Sequence, residues 1–204
     1  MYDTFKAFQE AYLADHLRER LRYIEEQIRS LRQSELTEAE QKFSKETIAV
    51  PVLKFDNAYI THYEKDIPAE EHPQSFFFDR GESYPRQVVV YHVPMEGDTD
   101  MLKFAPSTNL LWTYDLEVKR QGEKDEVSFE IIVFTEDPEK FNQQYEQIKN
   151  NLTKQLENVS RDVNSYNDSL PTQVTDLISK RRSVLGKQDG FLSSLGVPVK
   201  DSQK

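Results

Sequence analysis

The stretch HVPMEGDTD, residues 92–100, sets a histidine beside three carboxylates, Glu96, Asp98 and Asp100. An imidazole that titrates near neutrality, close to a carboxylate, suits general acid–base hydrolysis. Alternate carboxylates suit Ca²⁺ or Mg²⁺, but an EF-hand loop needs further ligands and a distal Glu that this stretch lacks, so a strand-to-helix turn is the preferred reading. His16, His62, His72 and His92 show no metal-ligand spacing of the HExxH kind. The chain has no cysteine, which removes disulfides, thiolate metal sites and cysteine nucleophiles. No Gly-rich phosphate loop, GxSxG elbow or SxxK pair occurs. The sequence therefore predicts no catalytic residue, no metal and no cofactor. A small hydrolase with its site near His92, Glu96 and Asp98 is kept as an alternative.

The second candidate is SKRRSVLGKQDGFLSSLGVPVK, residues 179–200, which opens on Lys180, Arg181 and Arg182 in an otherwise acidic chain. From residue 180 onward six cations face two carboxylates, a balance of +4 that leaves −14 of the net −10 on the rest. So negative a body repels nucleic acid and anionic membranes. The cations are expected to pair with the body itself, and a nucleic-acid-sensing module using Arg18–Arg22 and Lys180–Arg182 is the second alternative. Gly186 and Gly190 are read as helix breaks that let Phe191, Leu192 and Leu195 fold back as a connector, with Val197 and Pro198 closing it.

The elements that must carry these residues fall into a pattern. Phe5, Phe8, Tyr12, Leu13, Leu17, Leu21, Ile24, Ile28 and Leu31 lie mostly three or four apart, which predicts one amphipathic helix over residues 3–33. SELTEAEQKF restarts a short helix, with Thr37 and Glu40 at capping-box spacing. Residue 50 begins a β region. VPVLKFDNAYITHY predicts one or two strands, residues 64–84 an exposed loop around Phe76–Phe78, and PRQVVVYHVP a clear strand. WTYDLEVKRQGEKDEVSFEIIVF predicts a hairpin turning at Gly122, with Val127, Phe129, Ile131 and Val133 facing inward. After Asp137 and Pro138 the period is again helical through Phe141, Tyr145, Ile148, Leu152, Leu156, Val159, Val163, Tyr166 and Leu170. NDSLP is read as a break before a further helix. The 3–4 spacing also suits a coiled-coil seam, within the molecule or between two copies. The segmentation is 1–49 helical, 50–136 β-rich, 137–186 helical and 187–204 connector, expected as one integrated domain.

NSYNDSLPTQVTDLISKRRSVLGKQDGFLSSLGVPV resembles the N-terminal regulatory region of modular bacterial defence or toxin-type effector proteins. The likeness rests on Asn164, Asn167, Leu170, Arg181, Arg182, Leu185 and Leu195–Val199, and upstream on Pro94, Met95, Gly97, Asp98, Pro106 and Ser107. In that family the region precedes a variable nuclease-like or TIR-like domain. The resemblance thus implies a non-catalytic sensing, regulatory or oligomerisation module. The lack of cysteine, of a long apolar stretch and of a signal-peptide pattern at Met1–Thr4 leads to the expectation that it is cytoplasmic. Its partner is expected to be a protein, or a fused or adjacent effector, with self-association as a further expectation; neither nucleic acid nor membrane is expected. The fold expected is α+β, a small antiparallel-rich sheet flanked by long amphipathic N- and C-terminal helices.

Overall fold

The chain begins extended rather than helical. The computed structural model describes residues 2–73, 78–121 and 124–196, and its first elements are strands β1 (Tyr2–Lys6) and β2 (Ala11–Tyr12). Helix α1 (Leu13–Ser30) starts ten residues later than the sequence predicts. Phe5 and Phe8 sit at helical spacing, but Phe5 pairs across β1 with Leu116 and both are buried. Sheet burial of a short apolar run overrides a periodicity that fits either element. Between β1 and β2, Phe8 is buried in the left-handed region at φ 59°, held by its N–H to Leu102 O at 2.7 Å.

Helix α2 (Leu36–Phe43) and strands β3 (Val52–Leu53), β4 (Tyr59–Pro68), β5 (Ser83–Glu96), β6 (Phe104–Ala105), β7 (Asp115–Gln121) and β8 (Lys124–Ile132) follow. Helix α3 runs from Pro138 to Ser194. The fold is α+β. Six strands form one sheet in the order β1-β7-β8-β5-β3, with β4 also on β5, and every pair in it is antiparallel. The expected β7–β8 hairpin is present, while Gly122 at its turn, like Phe76 and Phe77, lies outside the described residues. The segment expected as a loop from residue 64 instead continues β4 to Pro68. Among the described residues no helix is long and apolar enough to cross a membrane.

Two compact units result, Met1–Ala14 with Ala49–Asp162, and Asp15–Ile48 with Val163–Lys204; α3 contributes to both. In the first unit one sheet face carries Leu116, Val118, Val93, Met95, Val127, Phe129 and Ile131, all buried. Tyr145 of α3 stacks on Tyr91 of that face, ring centres 4.3 Å apart. In the second unit Ile24, Ile28, Leu36, Ala39 and Phe43 are buried, as are Val163, Tyr166, Leu170, Val174 and Ile178 of α3. The side-chain amide of Asn167 donates to Ile48 O and accepts from Ile48 N, both at 2.9 Å, as a strand neighbour would.

Three helix-boundary expectations need correction. NDSLP does not break α3: Pro171 lies inside it. A mid-helix proline costs about 3 kcal/mol, and the full burial of Leu170 and Val174 on either side outweighs that. Gly186 and Gly190 are helical too, with open space where a Cβ would stand. Thr37 does not cap α2; Glu35 is the N-cap residue, and its side chain reaches back to Arg32 N at 2.7 Å.

Candidate functional site

Strand parity brings the polar residues of the first unit together. Antiparallel register places Tyr59, Thr61 and Tyr63 of β4, Val90 and His92 of β5, Glu126, Ser128 and Glu130 of β8, and Glu117 and Lys119 of β7 on one face, opposite the face stacked on Tyr145. A cleft of about 560 Å³ opens there, lined among others by His92, Tyr114, Glu117, Ser128 and Glu130.

His92 is held on every side. Its Nε2 lies 2.8 Å from Thr61 Oγ1, and its Nδ1 lies 2.9 Å from Ser128 Oγ and 3.2 Å from Glu126 Oε1. A carboxylate only accepts, so in the neutral ring Nδ1 carries the proton and Nε2 accepts from Thr61. Tyr59 stacks on the imidazole at 4.7 Å and donates its hydroxyl to Glu126 Oε2 at 2.9 Å. Alcohol, imidazole and carboxylate thus follow in the order of a nucleophilic triad. Tyr59 covers one face of the ring, and the bonds at both nitrogens fix its tautomer and orientation. Alongside it, Tyr63 donates to Glu130 Oε1 at 2.7 Å, and burial followed by that bond pushes its phenol up to about 12. Burial, then Asp115 and Glu130, pushes Tyr114 up to about 12 as well. Both phenols are neutral donors throughout the physiological range.

Glu96 and Asp98 do not join His92. Four residues along a strand span about 13 Å, and Glu96 is used by Lys54 at 3.0 Å. The Asp98 carboxylate accepts from Asp100 N at 3.0 Å, capping a 3-10 turn. Asp100 takes Arg120 at 2.6 Å and Lys103 at 3.2 Å. Among the described residues no three His, Cys, Asp or Glu side chains converge as a metal site. His72 is enclosed, with Nδ1 2.9 Å from Pro68 O and Nε2 accepting from Arg86 at 3.1 Å. His16 sits on α1 and His62 on the exposed β4.

In the second unit the basic cluster is largely consumed at home. Arg181 donates through Nε at 3.0 Å and Nη2 at 2.8 Å to Leu31 O, just past the end of α1, where free carbonyls carry partial negative charge. Arg182 pairs with Glu40 Oε2 at 3.2 Å, and Thr175 donates to Glu40 Oε1 at 3.0 Å. Lys180 is exposed. On α1, Arg18 pairs with Asp15 and Arg22 with Glu26, both exposed on the helix surface, while Arg20 Nε is buried without a hydrogen bond among the described residues. Arg181→Ala should therefore lower stability by about 1.5–3 kcal/mol, because it removes charged hydrogen bonds. Arg182→Ala, which loses a half-exposed ion pair, should cost under about 1 kcal/mol. Denaturant melts of the two variants check this order.

Phe191 and Leu195 do not fold back. They stand 65% and 52% exposed at the end of α3, with Val184 and Leu192 also open to solvent. Val197 and Pro198 lie outside the described residues. Sequence reasoning missed Thr61, Glu126, Ser128 and Tyr59 as the surroundings of His92. Their alternation along strands was visible, but the register that aligns three strands was not. It also missed Gln155, fully buried beside Leu152 and Leu156, which accepts from Leu110 N at 3.1 Å and donates to Asn109 Oδ1.

Comparison with known protein families, curated proteins and solved structures returned no match to this chain.

Proposed function

We propose that this chain is a non-catalytic sensing or regulatory module of a bacterial antiphage-type defence protein, acting in the cytoplasm, and that the end of α3 is the surface through which it engages a protein partner or effector. The observation that carries this reading is one helix with two fates. Leu170, Val174 and Ile178 are fully buried, whereas Val184, Phe191 and Leu192 further along the same helix, and Leu195 just beyond its end, are exposed. An apolar helix face left open in this way fits a groove or a second amphipathic helix.

The chemistry of the partner follows from the flanks. Lys180 and Lys187 are exposed and seven residues apart, along one edge of the stripe, and Asp189 lies on the other. An acidic amphipathic helix complements that edge. The defence-type assignment rests on the resemblance of residues 164–199, and the non-catalytic reading rests on a sequence that carries no cysteine nucleophile, phosphate loop, GxSxG elbow or SxxK pair. The pairing of Arg18, Arg22, Arg181 and Arg182 within the chain weighs against the nucleic-acid reading, and the separation of Glu96 and Asp98 from His92 weighs against the hydrolase.

Titration with a synthetic amphipathic helix of Leu and Glu heptads tests the surface. Binding should weaken with salt and fall at least tenfold in Phe191→Asp, whose fold, judged by circular dichroism, should be unchanged because the side chain is largely exposed. Equal binding by wild type and Phe191→Asp would overturn the proposal, as would an absence of binding to the wild type.

A further inference from the structure

The outer edge of the sheet carries a second surface, on a different element and independent of the reading above. Strand β4 is ten residues long and exposed from Tyr59 to Asp66, including Tyr59, Ile60 and Tyr63. It pairs with β5 on one side, and among the described residues no other strand borders it.

The hydrogen bonds of β5 fix which backbone groups of β4 point outward. Val133 N donates to Gln87 O at 2.9 Å, so the odd residues of β5 face β8. Pro94 O accepts from Lys54 N at 2.8 Å, so the even residues face the opposite side. Register pairs Val88 with Tyr63, Val90 with Thr61 and His92 with Tyr59. In an antiparallel ladder only alternate residues exchange bonds with a given neighbour. The odd residues of β4 therefore bond to β5, and Ile60, His62, Glu64 and Asp66 direct their N–H and C=O groups into solvent.

Four consecutive unpaired positions make a template for another strand, and their side chains say which strand. Two copies of β4 related by a two-fold axis pair all four positions in one register, centred on Tyr63. It sets Ile60 against Asp66 and His62 against Glu64, each twice. On the other face Thr61 meets Lys65 twice and Tyr63 meets its own copy. No like charges stand directly opposite, and His62 and Glu64 form a complementary pair on both sides of the axis. Shifting the axis to His62 or Glu64 sets that residue against itself and leaves one outward position unmatched.

We infer that β4 is the edge through which two copies of this chain join into one continuous antiparallel sheet. Residues Ile60–Asp66 pair with their own copy about Tyr63, and no ligand is required.

Sedimentation of the full chain, from low micromolar to several hundred micromolar concentrations, reads the monomer–dimer equilibrium directly. Wild type should dimerise within that range. His62→Pro removes one outward N–H and no bond to β5, a change that an edge strand tolerates, so it should be a folded monomer by circular dichroism. His62→Glu, which sets carboxylates opposite Glu64, should weaken the dimer at least tenfold, and adding Glu64→His to it should restore wild-type affinity by exchanging the pair. A wild type that stays monomeric throughout overturns the inference. So does a His62→Pro or His62→Glu variant that dimerises as tightly as wild type, or a double exchange that restores nothing.

Discussion

Leu152→Ala lowers the stability of the protein by about 2–5 kcal/mol, the range for truncating a fully enclosed leucine. Leu152 has no exposed surface, and it lies on the α3 face whose neighbours Ile148, Leu156 and Val159 are buried with it. The same face holds buried Gln155, whose amide serves the backbone of Leu110 and the side chain of Asn109. A cavity at Leu152 thus loosens both an apolar layer and a hydrogen-bond anchor that the surroundings cannot replace. Denaturant melts at low micromolar concentration measure the loss. A change under 1 kcal/mol would mean that this stretch of α3 is not core.

Gly97→Ala is expected to match or exceed that. Gly97 sits at φ 89°, where an L side chain costs about 1–2 kcal/mol. A Cβ there would also run into the carbonyl of Val50 and come within 3.0 Å of Pro51 Cα, both backbone atoms. Forced repacking adds about 1–3 kcal/mol. The Asp98 N–H to Ala49 O bond at 3.0 Å, one residue away, stands in the path of any relaxation. Gly81 supplies the control: its φ is 83°, but nothing lies within 4 Å of its missing Cβ. Gly81→Ala should therefore lose only the conformational part. Equal losses at the two glycines would contradict the close approach of residues 50–51 to the turn.

How much of this the sequence made legible depended on whether the signal was local. The β7–β8 hairpin, the valine-rich β5 and the apolar stripe of α3 are written in alternation or in 3–4 spacing, and the elements stand where that spacing puts them. At the N-terminus Phe5 and Phe8 fit a helix and a sheet edge equally well, and only the pairing of β1 with β7 decides. Pro171 and Gly186 look like helix breaks because propensity is a single-residue quantity, whereas the burial of Leu170 and Val174 is a tertiary one. Residues Glu96, Asp98 and Asp100 looked like one cluster because they are close in sequence, but strand and turn geometry send each to a different partner. His92 was singled out for the wrong neighbours. Thr61, Glu126 and Ser128 lie 31 to 36 residues away and meet it only through the register of two strand pairs.

The central claim, that the end of α3 is a docking surface for a protein partner, is tested most directly by amide hydrogen exchange of the full chain, free and with the acidic amphipathic helix added. In the free protein, residues 184–195 should exchange faster than residues 163–178, because the side chains of those turns are largely exposed whereas Val163, Leu170, Val174 and Ile178 are buried. On addition of the helix their exchange should slow at least tenfold, while the β5 and β8 amides around His92 stay unchanged. Protection that appears around His92 and not at residues 184–195, or protection at neither, would contradict the account.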